Sequence, residues 1–155
     1  MMKKRGFLFF PLLALSVGTL SGYFARTGLE TVYPLLEKSP LTPPGALFPV
    51  VWTVLYLLMG IGLALVLRRV GTEHRTAFVL WCVQLALNAA WSLLFFGAGA
   101  YLGALICLCL LWVSIFLMMM VFDSASPAAA WLQVPYFLWV SYAGYLNLVI
   151  WRLNP

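Results

Sequence analysis

Charge is the scarcest property of this chain. Only 8% of its 155 residues are Asp, Glu, Lys or Arg, four acids against nine bases, with one histidine. The stretches 7–25, 46–67, 77–97, 101–122 and 130–151 contain none of these residue types. Carriers coupled to protons or ions normally keep an ionisable group within the membrane, so active coupling is not expected. There is no carboxylate pair, no cluster of metal-ligand residues and no nucleophile beside a base, which removes a dedicated hydrolase or metalloenzyme. His74 stands alone in a charged connection, where a solvated side chain is the default. Cys82, Cys107 and Cys109 all fall inside apolar stretches and read as small apolar residues, with no spacing for a disulfide framework or zinc. No basic stripe with interleaved aromatics is present, so nucleic acid is excluded as a partner.

What the chain has is hydrocarbon. Its residues are 65% hydrophobic, far above the level of a soluble domain, and each of the five uncharged stretches is near the 20 or so residues needed to cross a bilayer. The expected fold is an all-α membrane protein, a five-transmembrane-helix bundle forming one domain over 1–155. Connections are short except 26–45, which contains four prolines, Pro34, Pro40, Pro43 and Pro44. Proline stiffens a chain, so this segment reads as a lid over one mouth of the bundle. Lys3, Lys4, Arg5, Arg68, Arg69 and Arg75 fall on one side, against Arg26, Lys38 and Arg152 on the other. Basic residues favour the cytoplasmic side, so the N-terminus is expected inside and loop 26–45 outside. The excess of positive charge is thereby accounted for by topology and contact with anionic headgroups. The first stretch also resembles a signal peptide, but its apolar run is too long and Tyr23 and Phe24 make a poor cleavage site, so it is expected to remain as a helix.

Polar and aromatic residues lie in stripes. Within 77–97, Trp81, Gln84, Asn88, Trp91 and Phe95 recur at helical three-and-four spacing. An amide in hydrocarbon costs free energy unless something satisfies it, so Gln84 and Asn88 must face neighbouring helices, water or a ligand. Phe48, Trp52, Tyr56 and Met59 share a face of the second helix, and Pro135, Trp139, Ala143 and Asn147 a face of the fifth. Trp131 and Trp151, near the ends of their helix, read as interfacial anchors. Gly18 with Gly22, Ala86 with Ala90, and Gly99 with Gly103 are spaced for close helix approach or self-association. Pro135 should bend the fifth helix and shape a cavity.

These clusters resemble a family. The run from Glu37 to Pro44, followed by Phe48, Trp52, Leu55, Tyr56, Met59 and Gly60, is similar to the first loop and second helix of the translocator protein, or tryptophan-rich sensory protein, family. Gln84, Leu85, Asn88, Trp91, Phe95 and Phe96 match its third helix, and Pro135, Tyr136, Trp139, Ala143, Leu146 and Asn147 its fifth. The resemblance implies a five-helix bundle, homodimeric, in contact with membrane lipid, whose pocket opens under the first loop and takes porphyrin or haem as ligand with no cofactor or metal required. Carried over by position, Tyr33, Trp52, Gln84, Asn88, Trp91, Trp139, Ala143 and Leu146 would be ligand-binding. Trp52 and Trp139 would flank the ring, and its propionates would lie near Lys38 or Arg26. Ser39 and Leu41 replace proline and tryptophan of the family's loop signature, and Val32 replaces a tryptophan before Tyr33, which weakens the lid. No tyrosine lies within five residues before Arg152, so specific cholesterol binding through the animal members' motif is not expected, and a bacterial inner-membrane protein is favoured.

Three functions stay open on these residues. The first is a tetrapyrrole-binding sensor or regulator of porphyrin flux. The second, implied by the resemblance, is light- and oxygen-dependent porphyrin degradation, with Trp52 and Trp139 as the catalytic, oxidisable side chains. The third is a passive carrier or membrane scaffold.

Overall fold

In a computed structural model, residues 2–69 and 74–154 are described, with side chains from residue 6 onward. The side chains of Lys3, Lys4 and Arg5 and the whole of residues 70–73, part of the charged connection read from the sequence, lie outside the described residues. Helix α1 runs Met2–Thr31, followed by a short 3₁₀ turn Tyr33–Leu35; α2 spans Leu47–Val66 and α3 His74–Ser92, continuing as a π turn Leu93–Gly97. Next come α4, Tyr101–Ala125, the five-residue α5, Pro127–Trp131, and α6, Val134–Leu153. Helices α1, α2, α3 with its π turn, and α4 are each long and apolar enough to cross a membrane. The fifth long helix, α6, is 20 residues long, but Tyr136, Tyr142, Tyr145 and Asn147 dilute its apolar content.

Two expected boundaries are corrected. The first helix does not stop at Ala25: it continues to Thr31, because residues 26–31 contain no proline, so the lid is shorter than 26–45. The helix expected over 130–151 is two helices. The chain breaks at Leu132 and Gln133, and Pro135 sits in the first turn of α6, where its missing N–H leaves no helical bond unmade. The kink assigned to Pro135 is therefore a helix start. Gln133 holds this break, its side-chain amide donating to the Leu58 and Ala129 carbonyls at 3.2 and 3.4 Å.

Helix α1 packs along α2, α3 along α4, and α4 along α6, while α5 closes against α2 and α4. The core gathers Met59 and Leu63 from α2, Trp81 from α3, Leu111, Ile115 and Met118 from α4, and Tyr136 and Val140 from α6. Glycine sets the closest crossings. A methyl group at Gly60 would overlap the backbone of Pro11 in α1, and one at Gly28 would overlap the Phe96 carbonyl of the π turn. Gly18 lies flat against the Tyr56 ring, whereas Gly22, one turn on, has open space beside it.

Gly60→Val should therefore cost about 3 kcal/mol, the upper end of over-packing penalties, while Gly22→Ala should leave stability unchanged. Thermal unfolding in detergent, followed by helical circular dichroism, compares the two; equal melting would contradict the α1–α2 crossing described.

Candidate ligand-binding site

The polar stripe of α3 is buried as one face: Trp81, Gln84, Asn88, Trp91 and Phe95 are all inaccessible or nearly so. Its two amides are satisfied differently. Asn88 sits between two phenols, accepting from the Tyr56 hydroxyl at 2.7 Å and donating to the Tyr136 hydroxyl at 3.0 Å. One side chain of α3 thus joins α2 and α6, which hardly touch along their backbones. Gln84 instead packs on α2, its amide nitrogen 3.9 Å from the Met59 sulfur and its oxygen without a protein partner. A third amide, Asn147 of α6, accepts from the Trp91 indole at 3.1 Å and donates to the Tyr101 carbonyl at 2.9 Å. Each bond is made where water is scarce, and an unpaired buried group there costs about 1–3 kcal/mol.

Aromatic rings extend this floor outward. Trp52 lies 5.7 Å from Tyr56, 6.0 Å from Trp91 and 6.2 Å from Tyr136, measured between ring centroids. Trp91 continues to Phe95 and Phe96, and Tyr33 of the 3₁₀ turn closes over Phe96 at 5.4 Å. On the other side Phe48 meets both Tyr33 and Trp139. The π turn contributes here: the Ala98 amide bonds the Leu93 carbonyl five residues back at 2.9 Å, and this wider turn carries Phe95 and Phe96 to the site. Such turns are common at functional positions.

The cavities divide the residues predicted from the sequence. A cavity of about 320 Å³ between α1, α2 and α3 is lined by Trp52, Tyr56, Asn88, Trp91, Phe48 and the small residues of α1. Tyr33 instead lines a neighbouring space of about 330 Å³ at the outer mouth, with Phe95, Phe96 and Tyr101. Trp139 lines an apolar groove between α2 and α6, with its ring 5.9 Å from that of Phe48, so it and Trp52 line different spaces and not one cavity. The buried indole nitrogen of Trp139 has no partner. Gln84 lines none of these three spaces, and neither do Ala143 and Leu146, which are buried in helix packing. Tyr56 and Tyr136 were not among the predicted ligand contacts. The signal for Tyr136 was the sequence spacing Tyr136, Val140, Ala143, Asn147, Ile150, the face that is in fact buried on α6.

The outer mouth is latched. Lys38 donates to the carbonyls of Tyr33, Pro34 and Leu36 at 2.8 to 3.2 Å and lies 5.0 Å from the Tyr33 ring centre. Arg26 pairs with Glu30 at 3.8 Å on the surface. Neither basic residue is aimed into the 320 Å³ cavity. Burial pushes the Tyr33 phenol above its usual range and the nearby Tyr142 phenol adds to the rise, so the outer wall presents a neutral hydroxyl.

Comparison with known proteins is consistent across most of the chain. The model of the TspO/MBR family matches residues 9–152. A tryptophan-rich protein TspO from Chlorobaculum tepidum is 43% identical over 148 residues, covering 92% of each chain. The bovine translocator protein is 35% identical over 152 residues, 96% of this chain and 88% of its own. A tryptophan-rich sensory protein from Cereibacter sphaeroides is 34% identical over 122 residues, covering 79% and 76%.

Replacing Asn88 by leucine should strand both phenols and lower stability by about 0.6–2 kcal/mol, the range for interhelical hydrogen bonds in membranes. Tyr56→Phe on top of Asn88→Leu should add little, because their shared bond is already gone. Unfolding of the single and double variants in detergent tests this, and additive losses would show that the bridge is not formed.

Proposed function

Since the chain belongs to the TspO/MBR family, we propose that this integral membrane protein binds a tetrapyrrole, protoporphyrin IX or haem, and acts as a sensor or regulator of porphyrin flux. The observation that carries the reading is the cavity floor: the Asn88 amide held between two phenols, beneath the paired indoles of Trp52 and Trp91. A flat conjugated ring stacks on indole faces, and fixed polar groups below it select its polar edge. At about 320 Å³ the cavity is at the small end of ligand sites, so a macrocycle would insert one edge and leave the rest in the opening. Lys38 is committed to backbone carbonyls, which leaves the exposed Arg26 as the basic group free to exchange its partner for a propionate. The Cereibacter sphaeroides relative is named a sensory protein, which agrees with a role in signalling occupancy. The same proposal places the protein as a homodimer in a bacterial inner membrane, crossing it five times, with the N-terminus inside and the loop after α1 outside.

A second reading is degradation of the bound porphyrin in light and oxygen. Trp52 lines the cavity with Trp91 at 6.0 Å, so an oxidisable indole pair would adjoin the ring; Trp139, the other candidate, lines the separate groove between α2 and α6. Passive transfer or a scaffold role would need no ring chemistry and predicts no effect of these indoles on porphyrin loss.

Titration of the purified protein with protoporphyrin IX in the dark should give saturable tryptophan quenching that is weakened by Trp52→Leu. Spectral loss of the porphyrin under light, abolished by Trp52→Phe, would select the degradative reading; a stable spectrum would select binding. Absence of saturable quenching would remove both.

A further inference from the structure

The way in to this cavity is not where a loop-covered pocket would put it. On the water side the lid is pinned to α6 at several points. The Tyr142 hydroxyl donates to the Leu41 carbonyl, Ser39 and Tyr145 share a hydrogen bond of 3.0 Å, and Asn154 makes reciprocal bonds to the backbone of Glu37 at 3.0 Å. Lys38 ties the 3₁₀ turn to the same lid through its carbonyl contacts.

The side facing the bilayer is different. Five residues that line the cavity, Thr19, Gly22 and Leu29 of α1 with Pro49 and Thr53 of α2, are exposed, whereas its floor residues Tyr56, Asn88 and Trp91 are buried. The cavity is therefore a cleft that opens laterally between two helices apolar enough to span a membrane. Small residues create it. Gly18 lets the Tyr56 ring lie against α1, Ser21 and Ala25 face inward, and the space beside Gly22 is empty. Among its described lining residues none is charged and the only polar groups before the Asn88 amide are hydroxyls, so a ligand using the cleft passes no ionic group.

We infer that the ligand moves between the site and the lipid phase sideways through the α1–α2 cleft, with the lid still latched. The class of ligand that suits this route is a membrane-dissolved amphiphile with a flat apolar edge, which slides between Gly22 and Thr53 edge-on and keeps its charged groups at the headgroup level. The inference rests on the binding reading above and adds the path.

The test compares two closures. Gly22→Phe has room for its first side-chain atoms and plugs the cleft; Tyr142→Phe and Tyr145→Phe combined with Asn154→Ala remove all three side-chain ties between the lid and α6. In phosphatidylcholine vesicles carrying the reconstituted protein, association of added protoporphyrin IX is followed by stopped-flow tryptophan quenching. Gly22→Phe should slow association by about tenfold or more while the lid variant stays near wild type, as gating at one opening requires. Because phenylalanine also takes cavity volume, a second variant isolates the route: Thr53→Cys, with the three native cysteines replaced by serine, is modified by a bulky maleimide after loading. Trapped porphyrin that dissociates more slowly after modification supports the lateral path. Faster association in the lid variant, together with an unchanged release rate after Thr53→Cys modification, overturns it. Failure of the wild type to show saturable quenching overturns the binding reading itself, and is distinguishable because it appears before any variant is compared.

Discussion

Everything at the centre of this bundle depends on one amide. Helices α2 and α6 make almost no direct backbone contact, yet both are tied to the amide that lies at the floor of the cavity. Asn88 spans the gap by taking a proton from Tyr56 and giving one to Tyr136. In water such bonds would be worth little, since solvent competes for every partner. In hydrocarbon the alternative is an unsatisfied amide and two unsatisfied phenols, so the bridge fixes how far apart the helices stand. That separation is filled by Trp52, which contacts Tyr56, Trp91 and Tyr136. The polar contact sets the width and the indole occupies it.

The opposite side of the site is shaped by what is missing. Helix α1 carries few large residues toward the bundle; Gly18, Ser21, Gly22 and Ala25 face it instead. Close approach at Gly60 and Gly28 locks the two ends of α1 against Pro11's partner helix and the π turn. Between those locks the small side chains leave volume that neighbouring side chains do not fill. The spacing of Gly18 and Gly22 would conventionally suggest a helix–helix seam. Here the two positions differ: one receives an aromatic ring and the other borders open space.

Much of this was legible in the sequence. The uncharged stretches located all five long helices, since length and lack of charge are direct consequences of bilayer thickness. The stripe Trp81 to Phe95 on α3 read correctly as one buried face, because amides in an apolar run have few places to go. Other features were hidden for identifiable reasons. Helix α1 overran its expected end because the Arg26–Glu30 segment is charged yet helical, and charge marks the limit of the membrane and not of the helix. Pro135 looked like a kink because the preceding break at Leu132 and Gln133 carries no glycine. On α6, choosing Trp139 to define the face gave a register one residue from that of Tyr136, and the larger side chain drew attention from the buried one. That Trp52 and Trp139 line different spaces is a matter of three-dimensional packing that spacing along single helices cannot express.

A site without an ionisable group constrains what its protein does with a ligand. Recognition must come from shape, ring stacking and a few fixed dipoles, which distinguish a flat amphiphile from a lipid tail but supply no driving force for vectorial movement. The dipoles here are already paired with each other, so a ligand has to compete with Tyr56 or Tyr136 for Asn88 or use the remaining lone pairs. If the cavity binds as proposed, competition of that kind would couple occupancy to the spacing of α2 and α6, because the bond being exchanged is one that joins them. A change of helix spacing on binding is an output that other membrane proteins can sense, and it needs neither a charge in the membrane nor a chemical step. The lid reports to the same element, since Tyr142, Tyr145 and Asn154 all belong to α6 or its end. Movement of α6 would therefore reach the loop after α1 directly, which would give the proposed tryptophan-lined site a physical route to act as a sensor.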